Sequence, residues 1–401
     1  MAKVCIIGFG CVGSGTYEIL KENNKIIAMR TGETVDVKYI VDIRDFSGHE
    51  VAPLVTTNFD TVLADKEVSI VIETMGGTTF AYDYTKAALL SGKSVVTSNK
   101  ELVASKGDEL FKIAKENGVK YFYEASVGGG IPIIRPLISS LGANNIEEVT
   151  GILNGTTNYI LTNMLKNGES FEKALSTAQK LGYAESNPSA DVDGFDTGKK
   201  ISILSSMALG EKVNYEDVHT EGITSVSMED TQYAEALGAV IKLIGRFRKT
   251  EAGCEVYVAP MLVGKDNPLY SVDDVFNGIL VNCDMLGEAL FYGKGAGMLA
   301  TASAVVSDVM EIVKNAPDQC IVPWTSSEGG NVVPFENVKA SFMVRIKACG
   351  DNFSKALSLF KNEKTMEIFD DEFALITDVI EYRELIEKLN GLDVISKYMF
   401  V

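Results

Sequence analysis

The sequence predicts an α/β protein: a doubly wound parallel sheet, then an α+β region, then a small βαββαβ unit. Three observations carry that expectation. Short, unbroken apolar runs alternate with helical periods as far as Tyr123, as strands covered by helices on both faces require. From about Pro132 the segments are longer and mix strand with helix. From Ser341 the order becomes strand, helix, hairpin, helix, strand.

In the first region, 3–8 (KVCIIG) is a strand, 12–20 a helix and 35–41 a second strand. Strand 69–72 (SIVI) is followed by a helix over 80–90. Strand 94–97 (SVVT) is followed by a helix over 108–117, and 119–123 is the last strand. Repeated βα units imply a parallel sheet. The middle has helical periods at 158–165, 171–181 and 194–209, with strand-like runs at 148–153 and 255–263. At the end, 341–349 and 394–401 alternate as strands, 353–359 and 382–389 are helical, and 366–380 reads as a hairpin. Residues 315–334, with three prolines and Ser326-Ser327-Glu328-Gly329-Gly330, resemble a linker. The domains expected are 1–132, completed by about 296–315, then 133–295, then 338–401. A chain of 401 residues is long enough for two or three.

Hydrophobic residues make up 46% and charged residues 23%, the balance of a chain with a sizeable core. A net charge of −18 argues against nucleic-acid partners, because an acidic surface repels a phosphate backbone. It does not bar a phosphorylated cofactor, since one loop can override the global sign. The six cysteines (Cys5, Cys11, Cys254, Cys283, Cys320 and Cys349) are scattered and contain no Cys-x-x-Cys pair. Free thiols in a reducing, cytoplasmic setting are expected. No signal peptide is expected ahead of the first strand, since the sequence runs directly into a strand pattern. No apolar run reaches the roughly 18 residues that would span a membrane.

Gly8-Phe9-Gly10-Cys11-Val12-Gly13 is a G-x-G-x-x-G between a strand and a helix, the context that gives this motif meaning. The first glycine permits the turn, and the second lets the backbone approach a pyrophosphate. The third lets helix and strand pack closely while the helix start faces the anion. A dinucleotide on a Rossmann-type sheet is therefore expected; the plainer reading is a tight βα turn without a ligand. The second strand ends in Val41-Asp42-Ile43-Arg44. An acid here holds the adenine-ribose hydroxyls of NAD, and an arginine accommodates the NADP phosphate. With both present, NAD or NADP stays open, and Asp42 is also readable as a solvated strand end.

His49 and His219 are the two histidines, each in a polar stretch with no partner at metal-ligand spacing, so a zinc or histidine-based site is poorly supported. Acid–base work then falls to lysine or carboxylate. The densest cluster is 185–200, ESNPSADVDGFDTGKK. Its helical period starts at Asp196, which puts Asp196 and Lys200 on one face. A lysine among carboxylates can give a proton, and carboxylates can hold a substrate ammonium; by spacing alone, a surface ion pair is the simpler reading. Lys100 follows a strand in Thr97-Ser98-Asn99-Lys100, on the edge where parallel sheets bind ligands, or else as a solvated helix start. In 124–132 (EASVGGGIP) three glycines free the backbone. Its carbonyls can turn toward a hard cation or the cofactor, or the stretch is a flexible linker.

In order, GFGCVGSG at 8–15, TSNK at 97–100, EASVGGGIP at 124–132, GILNGTTNYIL at 151–161, LGYAESNPSADVDGFDTGKK at 181–200 and GKGAGMLATASAVVSD at 293–308 resemble homoserine dehydrogenase. The resemblance covers about the first 310 residues, and its central block is far more specific than the glycine loop. It implies NAD(P)-dependent interconversion of L-homoserine and L-aspartate 4-semialdehyde in threonine, methionine and isoleucine biosynthesis. It implies Lys200 as the catalytic lysine and Asp196 as its partner in orienting substrate. Glu185 and Asp191 match substrate-binding carboxylates, with Glu185 on the amino group. Asn154, Gly155 and Thr156 line the substrate side, and Lys100 lies near nicotinamide and substrate. Gly8, Gly10, Cys11, Val12, Gly13, Asp42, Arg44, Thr74, Ser98 and Gly297 are implied around the cofactor. Glu124, Val127, Gly129 and Ile131 match a loop for a monovalent cation, sodium, held mainly by main-chain carbonyls. A homodimer or higher homo-oligomer is implied as well.

Departures from the family pattern bear on these expectations. Ser98 stands where alanine is usual. The stretch 45–50 (DFSGHE) lacks the basic run of NADP-preferring members. The last 60 or so residues resemble an ACT domain in strand–helix order alone. Their Asp-x-Pro-Gly turn is replaced by Ala348-Cys349-Gly350-Asp351-Asn352, which leaves threonine binding open. Two rival readings remain. A phosphorylating semialdehyde dehydrogenase needs a nucleophilic cysteine, and no cysteine here follows that pattern. A non-catalytic sensor of dinucleotide and amino acid would not require both Asp196 and Lys200.

Overall fold

The computed structural model describes residues 1–314, 322–360 and 364–401. Cys320 and the 315–321 part of the expected linker lie outside the described residues. The chain forms two compact units. One comprises Met1–Asn145, Ser202–Tyr215 and Phe291–Glu328; the other comprises Ile146–Ile201, Glu216–Leu290 and Gly329–Val401.

The first unit holds β1 (Ala2–Ile7), β2 (Val35–Val41), β3 (Val55–Thr56), β4 (Val68–Glu73), β5 (Ser94–Thr97) and β6 (Tyr121–Phe122). They lie in the order β3-β2-β1-β4-β5-β6, all parallel. That is the 3-2-1-4-5-6 order of a dinucleotide-binding sheet, with ligands taken outside the carboxyl ends of its strands. Helices α1 (Cys11–Glu22), α2 (Asn24–Thr31), α3 (Phe59–Ala64), α4 (Thr79–Leu90), α5 (Lys100–Glu116) and α6 (Ile134–Ile138) come from the same stretch. α12 (Met298–Lys314) returns to it, and Val305, Val306 and Val309 share a core with Val4, Ile6, Leu20 and Ile72.

Two differences from expectation have local causes. The sequence pattern names no helix between the strands at 35–41 and 69–72, yet α3 forms there because Asn58 caps it by accepting from the Asp60 amide at 3.0 Å. α5 starts at Lys100 rather than 108, because Asn99 caps it through the Leu102 amide at 3.1 Å. Gly107, which weakens the helical pattern, sits against Trp324, whose ring a Cβ would meet at 2.9 Å.

The second unit is built on a ten-stranded sheet. Its middle strands are β7 (Ile146–Ile152), β8 (His219–Thr220), β9 (Ala239–Thr250), β10 (Gly253–Gly264), β11 (Phe276–Cys283) and the first half of β12 (Gly287–Lys294). Its helices are α7 (Gly155–Asn167), α8 (Phe171–Lys180), α9 (Ser189–Val192), the first turns of α10 (Phe195–Leu209) and α11 (Met228–Ala236). β9 escapes sequence reading because Lys242, Arg246 and Arg248 interrupt its apolar run. The fold pairs each one: Lys242 donates to the Val272 carbonyl at 2.6 Å, Arg246 meets Glu148 at 3.0 Å and Arg248 meets Glu255 at 2.6 Å.

The carboxyl-terminal stretch has the expected order, with β13 (Lys339–Ala340), β14 (Phe342–Lys347), α13 (Asn352–Leu359), β15 (Lys364–Met366), β16 (Glu372–Ile376), β17 (Ile380–Glu381), α14 (Tyr382–Leu389) and β18 (Val394–Phe400). Its sheet order, β18-β14-β16-β15, is that of a split βαβ unit. β18 continues the sheet of the middle region by pairing with β10 at Met261↔Met399 and Leu262↔Phe400. Both stretches share one core, with Ile244, Tyr257 and Met261 in the same cluster as Phe342, Val344 and Phe373. Buried Arg345 adds a polar tie to Asp230 of α11 and Glu372 of β16. Among the described residues no helix is long and apolar enough to cross a membrane.

Candidate active site

In the first unit the glycine loop leaves β1 with Gly8 at φ 82°, in the left-handed region that glycine adopts without strain. A Cβ on Gly13 would overlap the Gly8 carbonyl, whereas one on Gly10 would meet nothing within 4 Å. The third glycine thus serves packing, and the second leaves open space at the start of α1, a cradle of the kind a pyrophosphate needs. Cys11 and Val12 open α1, with Cys11 exposed. Thr74, after β4, fixes the loop from below by donating to the Gly8 carbonyl at 2.6 Å. Ser98 follows β5 and its amide donates to the Glu73 carbonyl at 3.4 Å. Lys100 is the first residue of α5. Gly297, φ 125°, immediately precedes α12.

Asp42 and Arg44 are brought together. Arg44 forks onto the carboxylate, Nε to Oδ1 at 3.0 Å and Nη2 to Oδ2 at 2.7 Å. The Phe9 amide of the glycine loop donates to the same carboxylate at 2.7 Å. The guanidinium, with the amides, holds the Asp42 carboxyl well below the usual carboxylate range. His49 lies exposed beside Phe9 and Phe46.

The 124–131 loop is buried at Glu124, Val127, Gly129 and Ile131. The Glu124 carboxylate accepts from the amides of Ile133, Ile134 and Arg135 at 2.6, 2.8 and 2.8 Å, capping the start of α6. That side chain is therefore already engaged, and a cation would depend on main-chain oxygen. Among the described residues, the carbonyls of Val127, Gly129 and Ile131 accept no hydrogen bond. Asp308 of α12 accepts from the Glu124 amide at 2.8 Å and pairs with Arg135. Burial pushes the Asp308 carboxyl up to about 7.

In the second unit, four expected residues from three segments converge. Asn154 ends the turn after β7 and caps α7, its Oδ1 accepting from the Thr157 amide at 2.9 Å. Its Nδ2 donates to Asp191 Oδ1 at 2.7 Å and to Asp196 Oδ2 at 2.8 Å. Lys200 Nζ donates to the same Asp196 oxygen at 2.6 Å and to the Leu153 carbonyl at 2.8 Å. The Lys200 and Asp196 side chains are only 11% and 8% exposed, so the plain surface ion pair is excluded. α10 can approach the sheet because β9 has Gly245 beneath it, where a Cβ would meet Thr197 at 3.0 Å and Ile201 at 3.2 Å. Gly155 packs against the Val275 carbonyl, and Thr156 donates to the Tyr183 carbonyl at 2.7 Å.

The described hydrogen bonds do not bring Glu185 into this group; it is exposed, and its carbonyl accepts from Gln179 at 3.0 Å. His219 stacks on Phe335 at 3.7 Å and meets Glu221 at 2.9 Å. Among the described residues no cluster of three or more His, Cys, Asp or Glu could hold a metal ion. Sequence reading missed the Leu153 carbonyl and the tie from Asn154 to both aspartates, which spacing along the chain does not reveal. It also missed Glu73, whose one signal is a charge closing the apolar run SIVI.

Comparison with known proteins fits this geometry. A family model described as homoserine dehydrogenase matches residues 132–310, and one described as homoserine dehydrogenase, NAD binding domain, matches residues 8–124. A homoserine dehydrogenase of Synechocystis sp. is 42% identical over 364 residues, 87% of this chain and 83% of that one. The crystal structure of a homoserine dehydrogenase from Thiobacillus denitrificans superposes with a TM-score of 0.92 at 34% identity, covering 100% of this chain and 98% of that one. A hyperthermophilic archaeal homoserine dehydrogenase in complex with NADPH gives 0.66 at 30% identity, covering 77% and 97%. The chain belongs to the homoserine dehydrogenase family, NAD(P)-dependent oxidoreductases that act on a CH–OH group.

Proposed function

We propose that Lys200 is the acid–base residue in the interconversion of L-homoserine and L-aspartate 4-semialdehyde, with Asp196 holding it in place. The observation that carries this reading is the nearly buried Lys200–Asp196 pair, tied through Asn154 to Asp191. A bound nicotinamide supplies or accepts the hydride. As the aldehyde is reduced, negative charge develops on its oxygen; the Lys200 ammonium stabilises that charge and gives up a proton there. In the reverse direction Lys200 takes the hydroxyl proton. Asp191 and Glu185 bind the substrate ammonium, Glu185 from an exposed position open to an incoming ligand. Asn154, Gly155 and Thr156 shape the substrate side, and Lys100 serves nicotinamide and substrate.

The glycine loop, Thr74, Ser98 and Gly297 hold the dinucleotide. The Asp42–Arg44 fork supports either cofactor. Ribose hydroxyls of NAD would take Arg44's place on Asp42, whereas the phosphate of NADP would take Asp42's place on Arg44. Sodium is assigned to the carbonyls of Glu124, Val127, Gly129 and Ile131. The carbonyls of Val127, Gly129 and Ile131, which take no hydrogen bond among the described residues, support that assignment, since a hard cation prefers oxygen ligands. A homodimer is proposed as well, supported by Met285 and Leu286, 82% and 56% exposed at the tip of the β11–β12 hairpin. Whether the ACT-like stretch takes threonine is tested by adding threonine to the same assay.

The test is nicotinamide absorbance with L-homoserine and NAD or NADP in parallel. Turnover with at least one cofactor is expected. Cofactor binding without turnover on any hydroxy-amino acid would favour the sensor instead.

A further inference from the structure

We propose that Glu73 is a positioning residue of the cofactor site: ionised, it ties the 74–77 segment after β4 to the 97–100 segment after β5. Glu73 is the last residue of β4, fully buried, level with Ile7 of β1 and Thr97 of β5. Its Oε1 accepts from the Met75 amide at 2.7 Å, and its Oε2 accepts from the Thr97 hydroxyl at 2.5 Å. Thr97 in turn accepts from the Asn99 amide at 2.9 Å. Asn99 donates to the Gly77 carbonyl at 2.6 Å and caps α5. One carboxylate thus closes a ring of bonds around both strand ends. Those ends carry Thr74, Ser98 and Lys100, so the inference rests on the reading that these residues serve the cofactor.

The direction of donation makes the charge matter. The ionised carboxylate only accepts, and both bonded neighbours donate to it. A proton on Oε2 would force Thr97 to accept from Glu73 as well as from Asn99, leaving the threonine's own proton to seek another acceptor. Burial pushes the Glu73 carboxyl up to about 7. The groups facing it are the Met75 amide, Thr97, the Asn99 side chain and the buried phenol of Tyr121 on β6, whose ionisation Glu73 opposes. The ring is therefore fully formed above neutrality and loosens below it.

Glu73→Gln mimics the protonated form, because its amide nitrogen must donate to Thr97. The measurement is the dissociation constant of NADPH and of NADH, read by nicotinamide fluorescence from pH 6 to 9, with kcat and KM alongside. Wild-type affinity is expected to rise with pH through about 7. Glu73→Gln should be flat with pH and about tenfold weaker at pH 8.5, the usual scale for losing a hydrogen bond to a charged group. Thr97→Val should repeat that weakening, and Thr97→Ser should restore wild-type binding. Stability should move the other way. A carboxyl whose folded pKa is raised favours folding when protonated, so wild type should lose thermal stability relative to Glu73→Gln as pH rises from about 4.5 to about 7. Equal affinities and equal pH profiles for wild type and Glu73→Gln would overturn the proposal while the cofactor reading stands. Absence of binding by wild type to either dinucleotide would overturn both.

Discussion

Replacing Lys200 with methionine keeps most of the aliphatic volume and removes the ammonium. Two short bonds disappear, one to Asp196 at 2.6 Å and one to the Leu153 carbonyl at 2.8 Å. Asp196 keeps the Asn154 amide at 2.8 Å but remains 8% exposed without its cation. Removing one partner of a buried pair costs about 3–5 kcal/mol. The retained amide and the slight exposure put this case near the lower end, at roughly 3 kcal/mol. A fold stable by about 5–15 kcal/mol survives that. Loss of the acid–base group should slow turnover by about 10²–10⁴-fold. Asp196→Asn/Lys200→Met removes the stranded charge as well and should recover most of the stability with none of the rate. Urea unfolding, nicotinamide absorbance and nicotinamide fluorescence on both variants make the measurement. Turnover within tenfold of wild type in Lys200→Met, with cofactor still bound, would refute the assigned role. Recovery of rate together with stability in the double variant would show that the original loss was structural.

Other predictions follow from the same structure. Cys11 and Cys349 are exposed, whereas burial pushes the Cys5 thiol up to about 12 and the Cys254 thiol up to about 11. Alkylation of the native protein should therefore label Cys11 first and Cys349 more slowly, since its hydrogen bond to Asp393 pushes that thiol up, and should spare Cys5 and Cys254. NADPH at ten times its dissociation constant should slow labelling of Cys11 about tenfold and leave Cys349 alone; an unchanged Cys11 rate would move the cofactor away from the glycine loop. Arg345→Met strands Asp230 and Glu372, both buried, and should cost about 3–5 kcal/mol in urea unfolding. A loss below 1 kcal/mol, by the ordinary scale of surface changes, would mean this tie does not hold the carboxyl-terminal stretch in place.

Much of the cofactor unit was legible in the sequence because its determinants are local. A buried parallel strand announces itself as an apolar run, and a glycine loop is specified by dihedral angles and close packing within a few residues. The i, i+4 spacing of Asp196 and Lys200 likewise follows from helix geometry. Their neighbourhood did not follow. Only the fold brings Asn154 between Asp191 and Asp196, and only burial separates this pair from the ordinary surface pairs it resembles in sequence.

The remainder depended on partners distant in the chain. Lys242, Arg246 and Arg248 made β9 look unlike a strand until the fold supplied a partner for each. Nothing local explains Gly107 inside α5; the Trp324 ring, which a Cβ there would meet at 2.9 Å, does. The carboxyl-terminal βαββαβ order could be read from its periodicity. Its entry into the middle sheet could not, since that rests on two register pairs, Met261↔Met399 and Leu262↔Phe400, and on a shared core. Glu73 shows the same division. The sequence shows only a charge directly after the apolar run 69–72, and a local pattern cannot say whether that charge faces solvent. Tertiary structure alone decided that it would be buried with a hydrogen-bond donor on each carboxylate oxygen, because burial and pairing belong to the packed chain.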